Sequence, residues 1–275
     1  MDAFLLLKPD CLEQGRSGWV ERAVAAEGLR IDDRHGIVLA PPDVRALWAE
    51  YDERGHALTL GFLDRYLTTG RSEVWLVSGP DAFEAARRVK RAVRSRFAEG
   101  PFANLIHAAE HRDELDRQLG HLTGGTTTEP GADRQRPHLT GCATEGPGAT
   151  RQRPPGNVTF DVPALVGEVW PLIQGEPTDP GPVVLGDGDQ AVFLGPDRAH
   201  TLDSTVTALW HALPGVSPRQ AVLLTLRAGF TGGVPVAVGG RAAIRRCLRV
   251  LHEHGITNCD QSRWRRSASQ ATASG

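Results

Sequence analysis

Apolar and polar positions alternate along the first part of the chain in two periods. Short apolar runs of strand length are interleaved with segments whose apolar residues recur every three or four positions, the helical period. The predicted strands cover residues 4–8, 29–39, 73–77 and 104–106. The predicted helices cover residues 19–27, 41–51, 61–67, 82–97 and 110–119. Strands and helices mixed at this density predict an α+β sandwich for residues 1–119.

The later part of the chain predicts a second, smaller domain over residues 157–259. Two strand candidates, 183–185 and 191–194, flank the turn Gly186-Asp-Gly-Asp189 and are predicted to form a hairpin. Three helices are predicted after them, at residues 202–213, 218–228 and 241–254. A hairpin followed by three helices is typical of a winged-helix-like domain.

Between these parts, residues 120–156 are rich in Gly, Thr, Pro and Arg and nearly devoid of large apolar residues. The segment Pro130-Gly-Ala-Asp-Arg-Gln-Arg-Pro137 returns as Pro147-Gly-Ala-Thr-Arg-Gln-Arg-Pro154. A duplicated polar segment cannot bury a core, so it predicts a disordered linker. A solvated spacer is favoured for its arginines over contacts with RNA or phosphate. Residues 260–275 are predicted to be a disordered tail.

The net charge is close to zero, and the two lysines are the charged residues that call for an explanation. The chain has 31 Lys+Arg and 33 Asp+Glu, a net charge of −2, which argues against general binding to nucleic acid. Lys8 and Lys90 are the only lysines among the cationic residues. Arginine and lysine differ in geometry and hydration, so a lysine in an arginine-rich chain can mark a specific role.

The cysteines and the apolar runs bear on localisation. No apolar run approaches the roughly 18 residues that a membrane-spanning helix needs. The four cysteines are far apart, without metal-binding spacing, and predict free thiols in a reducing compartment. They are Cys11, Cys142, Cys247 and Cys259. We therefore predict a cytoplasmic protein with no membrane partner.

Several catalytic motifs are excluded. The sequence has no GxxxxGK[ST] loop, no GxGxxG after a strand, no GxSxG and no HExxH. His107 and His111 are four residues apart, as two metal ligands on one helix face would be. No third ligand stands at a useful spacing, so no metal held by protein side chains is predicted.

Three segments of the first part, in order, carry a resemblance to a known family. They are Leu6-Leu-Lys-Pro-Asp-Cys-Leu-Glu-Gln-Gly-Arg-Ser-Gly18, Val93-Arg-Ser-Arg-Phe97 and Asn104-Leu-Ile-His107. Through them, residues 3–119 resemble the nucleoside diphosphate kinases. The segments match that family's opening motif, its Ile-Arg-x-x-Phe element and the strand that ends in the catalytic histidine. The resemblance implies a ferredoxin-like sandwich and an enzyme.

The resemblance implies phosphohistidine chemistry. His107 would be the nucleophile that takes the γ-phosphate of ATP and passes it to a nucleoside diphosphate. Lys8, Arg87 and Arg94 would supply positive charge, and Mg²⁺ would be held by the nucleotide phosphates. The alignment leaves Arg87 and Arg88 nearly equal candidates for one position.

The resemblance also implies contacts to the nucleoside. Lys8 and Asn104 would bind the ribose hydroxyls, and Leu58 and Phe62 would sandwich the base. Tyr51 would stand near the catalytic histidine, although a packing role suits it equally.

The sequence departs from the family in three places. Only six residues separate Arg87 from Arg94, where the family has a long loop that lines the cleft and joins subunits in hexamers. The family's Gly-Ser-Asp after the histidine is Ala108-Ala-Glu110 here. Gln118 stands where the family has the carboxylate that orients the imidazole. These changes imply a slow or repurposed phosphotransferase and, if the chain is a homo-oligomer, not the usual hexamer.

Residues 158–257 resemble, more loosely, PqqD-like domains, which bind a peptide as an added strand. The matching features are the predicted hairpin 183–194, Thr201-Leu-Asp203, and Leu248-x-x-Leu-x-x-His-Gly-Ile256. A winged-helix DNA binder fits nearly as well. The leading hypothesis is a nucleoside diphosphate kinase-like phosphotransferase. The alternatives are a nucleotide-binding accessory protein and a tailoring enzyme of peptide natural-product biosynthesis whose C-terminal domain binds the peptide.

Overall fold

The computed structural model describes residues 2–99, 102–124, 160–174, 178–196 and 200–263. The strands are β1 Ala3–Leu7, β2 Arg30–Ile37, β3 Ser72–Ser78, β4 Ile106–His107, β5 Val183–Leu185, β6 Gln190–Leu194, β7 Val234–Gly239 and β8 Cys259–Arg263. The first helices are α1 Pro9–Glu13, α2 Ser17–Ala26, α3 Pro41–Leu47, α4 Ala49–Glu53, α5 Ala57–Leu67, α6 Ala82–Phe97 and α7 Arg112–Thr123. The later ones are α8 Val162–Val169, α9 Leu202–Ala212, α10 Pro218–Thr231 and α11 Arg241–Glu253.

The first sheet has the strand order β2-β3-β1-β4, and every pair in it is antiparallel. With α2 after β1 and α6 after β3, this order is that of a ferredoxin-like sandwich. The predicted fold of the first part is therefore confirmed. We call residues 2–124 the first unit and residues 160–263 the second unit.

The central strand β1 is buried on both faces, which explains its uninterrupted apolar sequence. Leu5 and Leu7 point to a core with α2 and α6, whereas Phe4 and Leu6 point to the opposite core. That second core continues without a break into the second unit. The two units are thus joined by packing as well as by the chain.

Some predicted boundaries of the first unit are wrong. The helix predicted at 41–51 is broken at Trp48, whose φ of −115° and ψ of 43° are not helical. The strand predicted at 104–106 is instead Ile106–His107, because Leu105 adopts a left-handed φ of 63° just before it. This turn sets His107 inside the sheet, paired with Leu6.

The second sheet has the order β5-β7-β6-β8. The predicted hairpin 183–194 is wrong, because β7 lies between β5 and β6, parallel to the first and antiparallel to the second. Strand β7 was not predicted, because Pro235 within it argues against a strand. That proline has no N–H to donate and lies at the register shift between Val192 and Phe193. A winged-helix arrangement is not confirmed, and the PqqD-like resemblance stays a prediction.

Two predicted boundaries of the linker and the tail are wrong. Helix α7 continues to Thr123, so the linker does not begin at residue 120. Strand β8 occupies Cys259–Arg263 and pairs with β6, so residues 260–263 are not a tail. Residues 125–156, with both copies of the repeat, and residues 264–275 lie outside the described part. Within the described residues, no helix is long and apolar enough to cross a membrane.

The second unit caps a helix of the first. The carboxylate of Asp203 accepts hydrogen bonds from the backbone N–H groups of Leu58 and Thr59, at 2.8 and 2.9 Å, and from the Thr59 hydroxyl. These bonds satisfy free N–H groups in the first turn of α5. Further along this helix, Gly61 lies against Val162 and Val166 of α8, so closely that a Cβ would be about 3 Å from their methyl groups.

Candidate active site

A cleft of about 420 Å³ opens in the first unit beside β4. We call it the inner cleft. Its floor is formed by the ends of β1 and β4, and its walls by α4, α5, α6 and the start of α7. The residues that carry its chemistry are Lys8, Glu50, Tyr51, Lys90, Arg94, Asn104, His107, Glu110 and Glu114. Five sequence-predicted residues are among them: Lys8, Tyr51, Arg94, Asn104 and His107.

His107 is held in one orientation by Gln118. Its Nε2 lies 3.0 Å from Gln118 Oε1, while the Gln118 amide N–H group donates to Leu47 O and, at 2.9 Å, to Glu114 Oε1. With both amide hydrogens engaged, Gln118 presents its oxygen to the histidine, and an amide oxygen can only accept. His107 Nε2 must therefore carry the hydrogen. The lone pair is left on Nδ1, the tautomer that a nucleophile at Nδ1 needs.

Surrounding groups keep this imidazole neutral. His107 is buried, with the Trp48 ring 4.8 Å from its own ring. Burial lowers the pKa of His107 well below its ordinary value, and the positive charges of Lys90, Arg94 and Lys8 lower it further. The hydrogen bond that His107 donates to Gln118 Oε1 raises this pKa and opposes the shift only in part. A neutral histidine is the form that can attack phosphorus.

The carboxylate of Glu114 contacts both Gln118 and His107. Glu114 Oε1 is 3.6 Å from His107 Nε2 and accepts the hydrogen bond from Gln118. The other oxygen of Glu114 accepts from the backbone N–H of Glu110 and His111, which fixes the side chain at the start of α7. Sequence reasoning missed Glu114. Its signal was the spacing of four from Gln118, which places both on one helix face.

Lys8 follows β1 and reaches across to the loop before β4. Its ammonium donates to Asn104 Oδ1 at 2.7 Å and to Phe102 O at 3.4 Å. Burial lowers the pKa of Lys8 well below its ordinary value, and the nearby Arg94 lowers it further. Asp10 fixes the same loop, because its carboxylate accepts from the strained Leu105 N–H at 2.9 Å.

Helix α6 supplies two more cations. Lys90 donates to Ala108 O at 2.6 Å and pairs with Glu110, and Arg94 donates to Ile106 O through two nitrogens, at 2.8 and 3.0 Å. These bonds clamp α6 to both ends of the His107 segment. Lys90 was absent from the predicted site residues. Its rarity as a lysine was the signal, and both lysines of the chain meet in this cleft.

Arg87 lies outside the inner cleft. Its guanidinium pairs with Glu84 and with Glu110, at 2.8 and 3.0 Å. Arg88, the alternative for the same position, points the other way and pairs with Glu27 at 2.7 Å. In the structure Arg87 therefore reaches the cleft only through Glu110.

The expected base sandwich is not present. Leu58 and Phe62 are 1% and 0% exposed, packed into the core that the two units share. The Phe62 ring stacks on Phe102 at 5.3 Å and lies 6.4 Å from the Trp170 ring of the second unit. Neither Leu58 nor Phe62 offers a face to a ligand. Tyr51 does line the cleft, with its ring 5.9 Å from that of His56.

The chain is similar in sequence to nucleoside diphosphate kinases over less than half of its length. It is 25% identical to that of Campylobacter hominis over 130 residues, 44% of this chain and 93% of the relative. It is 27% identical to that of Methylorubrum populi over 126 residues, 42% of this chain and 88% of the relative. No family model matches the chain.

Solved structures of the same name are also similar. The Aquifex aeolicus nucleoside diphosphate kinase superposes with a TM-score of 0.39 at 20% identity, covering 45% of this chain and 94% of that one. The Encephalitozoon cuniculi enzyme superposes with a TM-score of 0.41 at 13% identity, covering 48% and 95%.

Fold and cleft together define a ferredoxin-like α+β unit with a buried, oriented histidine among three cations. The sequence relatives of this chain are nucleoside diphosphate kinases, so it contains a nucleoside diphosphate kinase-like segment.

Proposed function

We propose that the protein is a phosphotransferase that takes the γ-phosphate of a nucleoside triphosphate onto His107 and passes it to a nucleoside diphosphate. The observation that carries the proposal is the fixed tautomer of His107, with its hydrogen on Nε2 held by Gln118 and its lone pair on Nδ1. The names of the curated relatives support the same class of reaction.

The proposed reaction has two in-line steps. His107 Nδ1 attacks the γ-phosphorus, the bond from phosphorus to the bridging oxygen breaks, and the nucleoside diphosphate leaves with the electron pair. A second diphosphate then attacks phosphohistidine through its terminal oxygen, and Nδ1 takes back its lone pair. Because the phosphorylated ring is cationic, Gln118 and Glu114 would stabilise it from the Nε2 side.

Three cations would hold the transferring phosphoryl group: Lys8, Lys90 and Arg94. They line the cleft around His107, and Lys8, Lys90 and His107 are buried, where positive charge acts more strongly on the developing charge than it would in water. Mg²⁺ would arrive on the nucleotide phosphates and neutralise part of their charge. Among the described residues, no group of three or more His, Cys, Asp or Glu side chains could hold a metal ion.

The test uses the purified full chain with Mg²⁺ and γ-labelled ATP, followed by unlabelled GDP. We expect acid-labile, base-stable label on the protein and its transfer to GDP during the chase. Protein that binds ATP but never acquires label would contradict the proposal.

The labelling rate should depend little on pH. An ordinary histidine with a pKa near 6.5 loses about three-quarters of its neutral form by pH 6.0. Because burial and Lys90 depress the pKa of His107, we expect less than about a twofold loss of rate between pH 7.5 and 6.0. Removing one neighbouring charge with Lys90→Met should raise this pKa and steepen the profile.

The two proteins are compared at each pH with the same MgATP solution, because the γ-phosphate itself titrates in this range. A wild-type rate that fell about fourfold, as free histidine predicts, would show that the imidazole is not held neutral.

A nucleotide-binding accessory role is the second candidate. The observation that favours it is the internal use of the cations. Lys90 pairs with Glu110, and the Nε and one Nη of Arg94 are both bound to Ile106 O. A cleft whose cations already have protein partners could bind phosphates without turning them over. The labelling experiment separates the two roles.

A further inference from the structure

The second unit repeats the plan of the first. Strands β6, β7 and β8 occupy the same positions in the order β5-β7-β6-β8 as β1, β3 and β4 do in β2-β3-β1-β4. Helices α9 and α10 lie between β6 and β7, as α3 to α5 lie before β3. Helix α11 joins β7 to β8, as α6 joins β3 to β4. The edge strands differ in two ways: β5 precedes β6 in the chain where β2 follows β1, and β5 runs parallel to its neighbour where β2 runs antiparallel.

The pairing matches residue by residue at the strand ends. Leu7 pairs with Ile106 on β4, and Leu194 pairs with Cys259 on β8. The next backbone bond matches too: Lys8 N donates to Leu105 O at 2.9 Å, and Gly195 N donates to Asn258 O at 2.9 Å. Gly195 is thus the counterpart of Lys8, and Asp260 the counterpart of His107.

The sequence carries the same repeat weakly. Leu7-Lys-Pro-Asp10 corresponds to Leu194-Gly-Pro-Asp197, and Val44-Arg-Ala-Leu-Trp48 corresponds to Val206-Thr-Ala-Leu-Trp210. On the long helix, Arg87-Arg-Val-Lys90 corresponds to Arg245-Arg-Cys-Leu248. The second copy has therefore lost both lysines and the histidine, and with them the chemistry proposed for the inner cleft.

This second copy faces the inner cleft. A cavity of about 480 Å³, which we call the outer cavity, lies between the units. It shares Tyr51, Arg54, Thr59 and Phe102 with the inner cleft, so the two spaces adjoin at these residues. From the second unit it is lined by residues of β6, α9 and α10 and of the segments next to them, among them Pro196, His200, Thr201, Leu202 and Gly229.

We propose that the outer cavity binds the nucleoside part of the substrate, so that the degenerate second copy completes the nucleotide site. The inference rests on the proposed function and names where that substrate's base and ribose lie. The bases cannot use Leu58 and Phe62, which are buried. The outer cavity adjoins the inner cleft, which holds the proposed phosphate-binding cations. At about 480 Å³, it is within the range of small-molecule pockets.

The chemistry of the outer cavity suits a nucleoside better than further phosphate. Among the described residues that line it, Arg54 and His200 are the basic side chains, and the others are apolar, glycine, threonine hydroxyls or the Tyr51 phenol. Leu202 and Pro196, which line the cavity without being fully buried, offer apolar surface for a base. Thr201 brings a hydroxyl to the cavity wall, where it also accepts from the Ser204 N–H at 3.3 Å as the N-cap of α9, and a hydroxyl can donate and accept at once.

The test fills the outer cavity with Gly229→Trp. Gly229 lies on α10 and lines the outer cavity, and a Cβ added there meets nothing within 4 Å, so the backbone has room for a side chain at the cavity wall. Gly167→Trp is the matched control. Gly167 is also an exposed helical glycine of the second unit with open space at its Cβ, but it does not line the cavity.

Binding of Mg²⁺-ADP and of Mg²⁺-tripolyphosphate, which has no nucleoside, is measured by calorimetry. We expect Gly229→Trp to raise the Kd of ADP at least about tenfold and that of tripolyphosphate less than about twofold. Gly167→Trp should change neither. An unchanged ADP affinity, an equal loss of both ligands, or a wild type that binds ADP no more tightly than tripolyphosphate would overturn the proposal. Phosphohistidine labelling is scored separately, so a failure of the proposed function is distinguishable.

Discussion

Replacing His107 with alanine should abolish phosphoryl transfer to the protein, with no acid-labile label detectable from γ-labelled ATP. The imidazole is the proposed nucleophile, and the two lysines beside it cannot replace it while Lys8 and Lys90 donate their hydrogens to protein oxygens. Nucleotide affinity should stay within a few-fold of wild type, because the ring reacts with phosphate but contributes little to binding it.

The matched control is His35→Ala. His35 lies on β2, away from the inner cleft, and pairs with Asp33. This variant should label at the wild-type rate. Label that persisted on His107→Ala, at the wild-type level and in the same acid-labile form, would reject His107 as the nucleophile.

Replacing Lys8 with methionine should slow labelling by about 100- to 1,000-fold, the usual cost of losing one preorganised charge on a developing anion. The stability of the protein should not fall in parallel. Burial lowers the pKa of Lys8, so its charged form is held at an energetic disadvantage in the folded state. Methionine has a similar length and needs no hydration, so the thermal midpoint is expected to equal or exceed that of wild type.

Such opposite effects on rate and stability are typical of a residue retained for function. Arg91→Met is the control, since it removes an exposed cation from α6. It should change neither labelling nor the thermal midpoint by more than a small amount. A Lys8→Met protein that lost stability and activity together would instead indicate that Lys8 holds the loop at Asn104.

The strands and helices of the first unit were predictable because each is specified by neighbouring residues. Strand β1 is an apolar run because both of its faces are buried, and α6 has apolar residues at the helical period. The segment ending in His107 was predictable from its resemblance to a family. Where a local signal was misleading, the prediction failed: Pro235 hid β7, and the turn at 186–189 suggested a hairpin.

The site was only partly predictable for the same reason. Lys8, Arg94, Asn104 and His107 meet in the inner cleft as the motif order implied. Leu58 and Phe62 do not, because the second unit packs against α5 and draws both side chains into a shared core. No pattern within the first unit predicts this packing, because the helix that packs on α5 lies about a hundred residues later in the chain.

The sequence by itself determined the fold class of the first unit, the position of a candidate nucleophile and the scarcity of lysine. Tertiary structure decided the rest: the tautomer of His107, the contact of the Glu114 carboxylate with Gln118, and the capping of the first turn of α5 by Asp203. The physical reason is the range of the interactions. Helical and strand periods depend on residues a few positions apart, whereas Lys8 meets Asn104 across 96 positions and Asp203 meets Leu58 across 145.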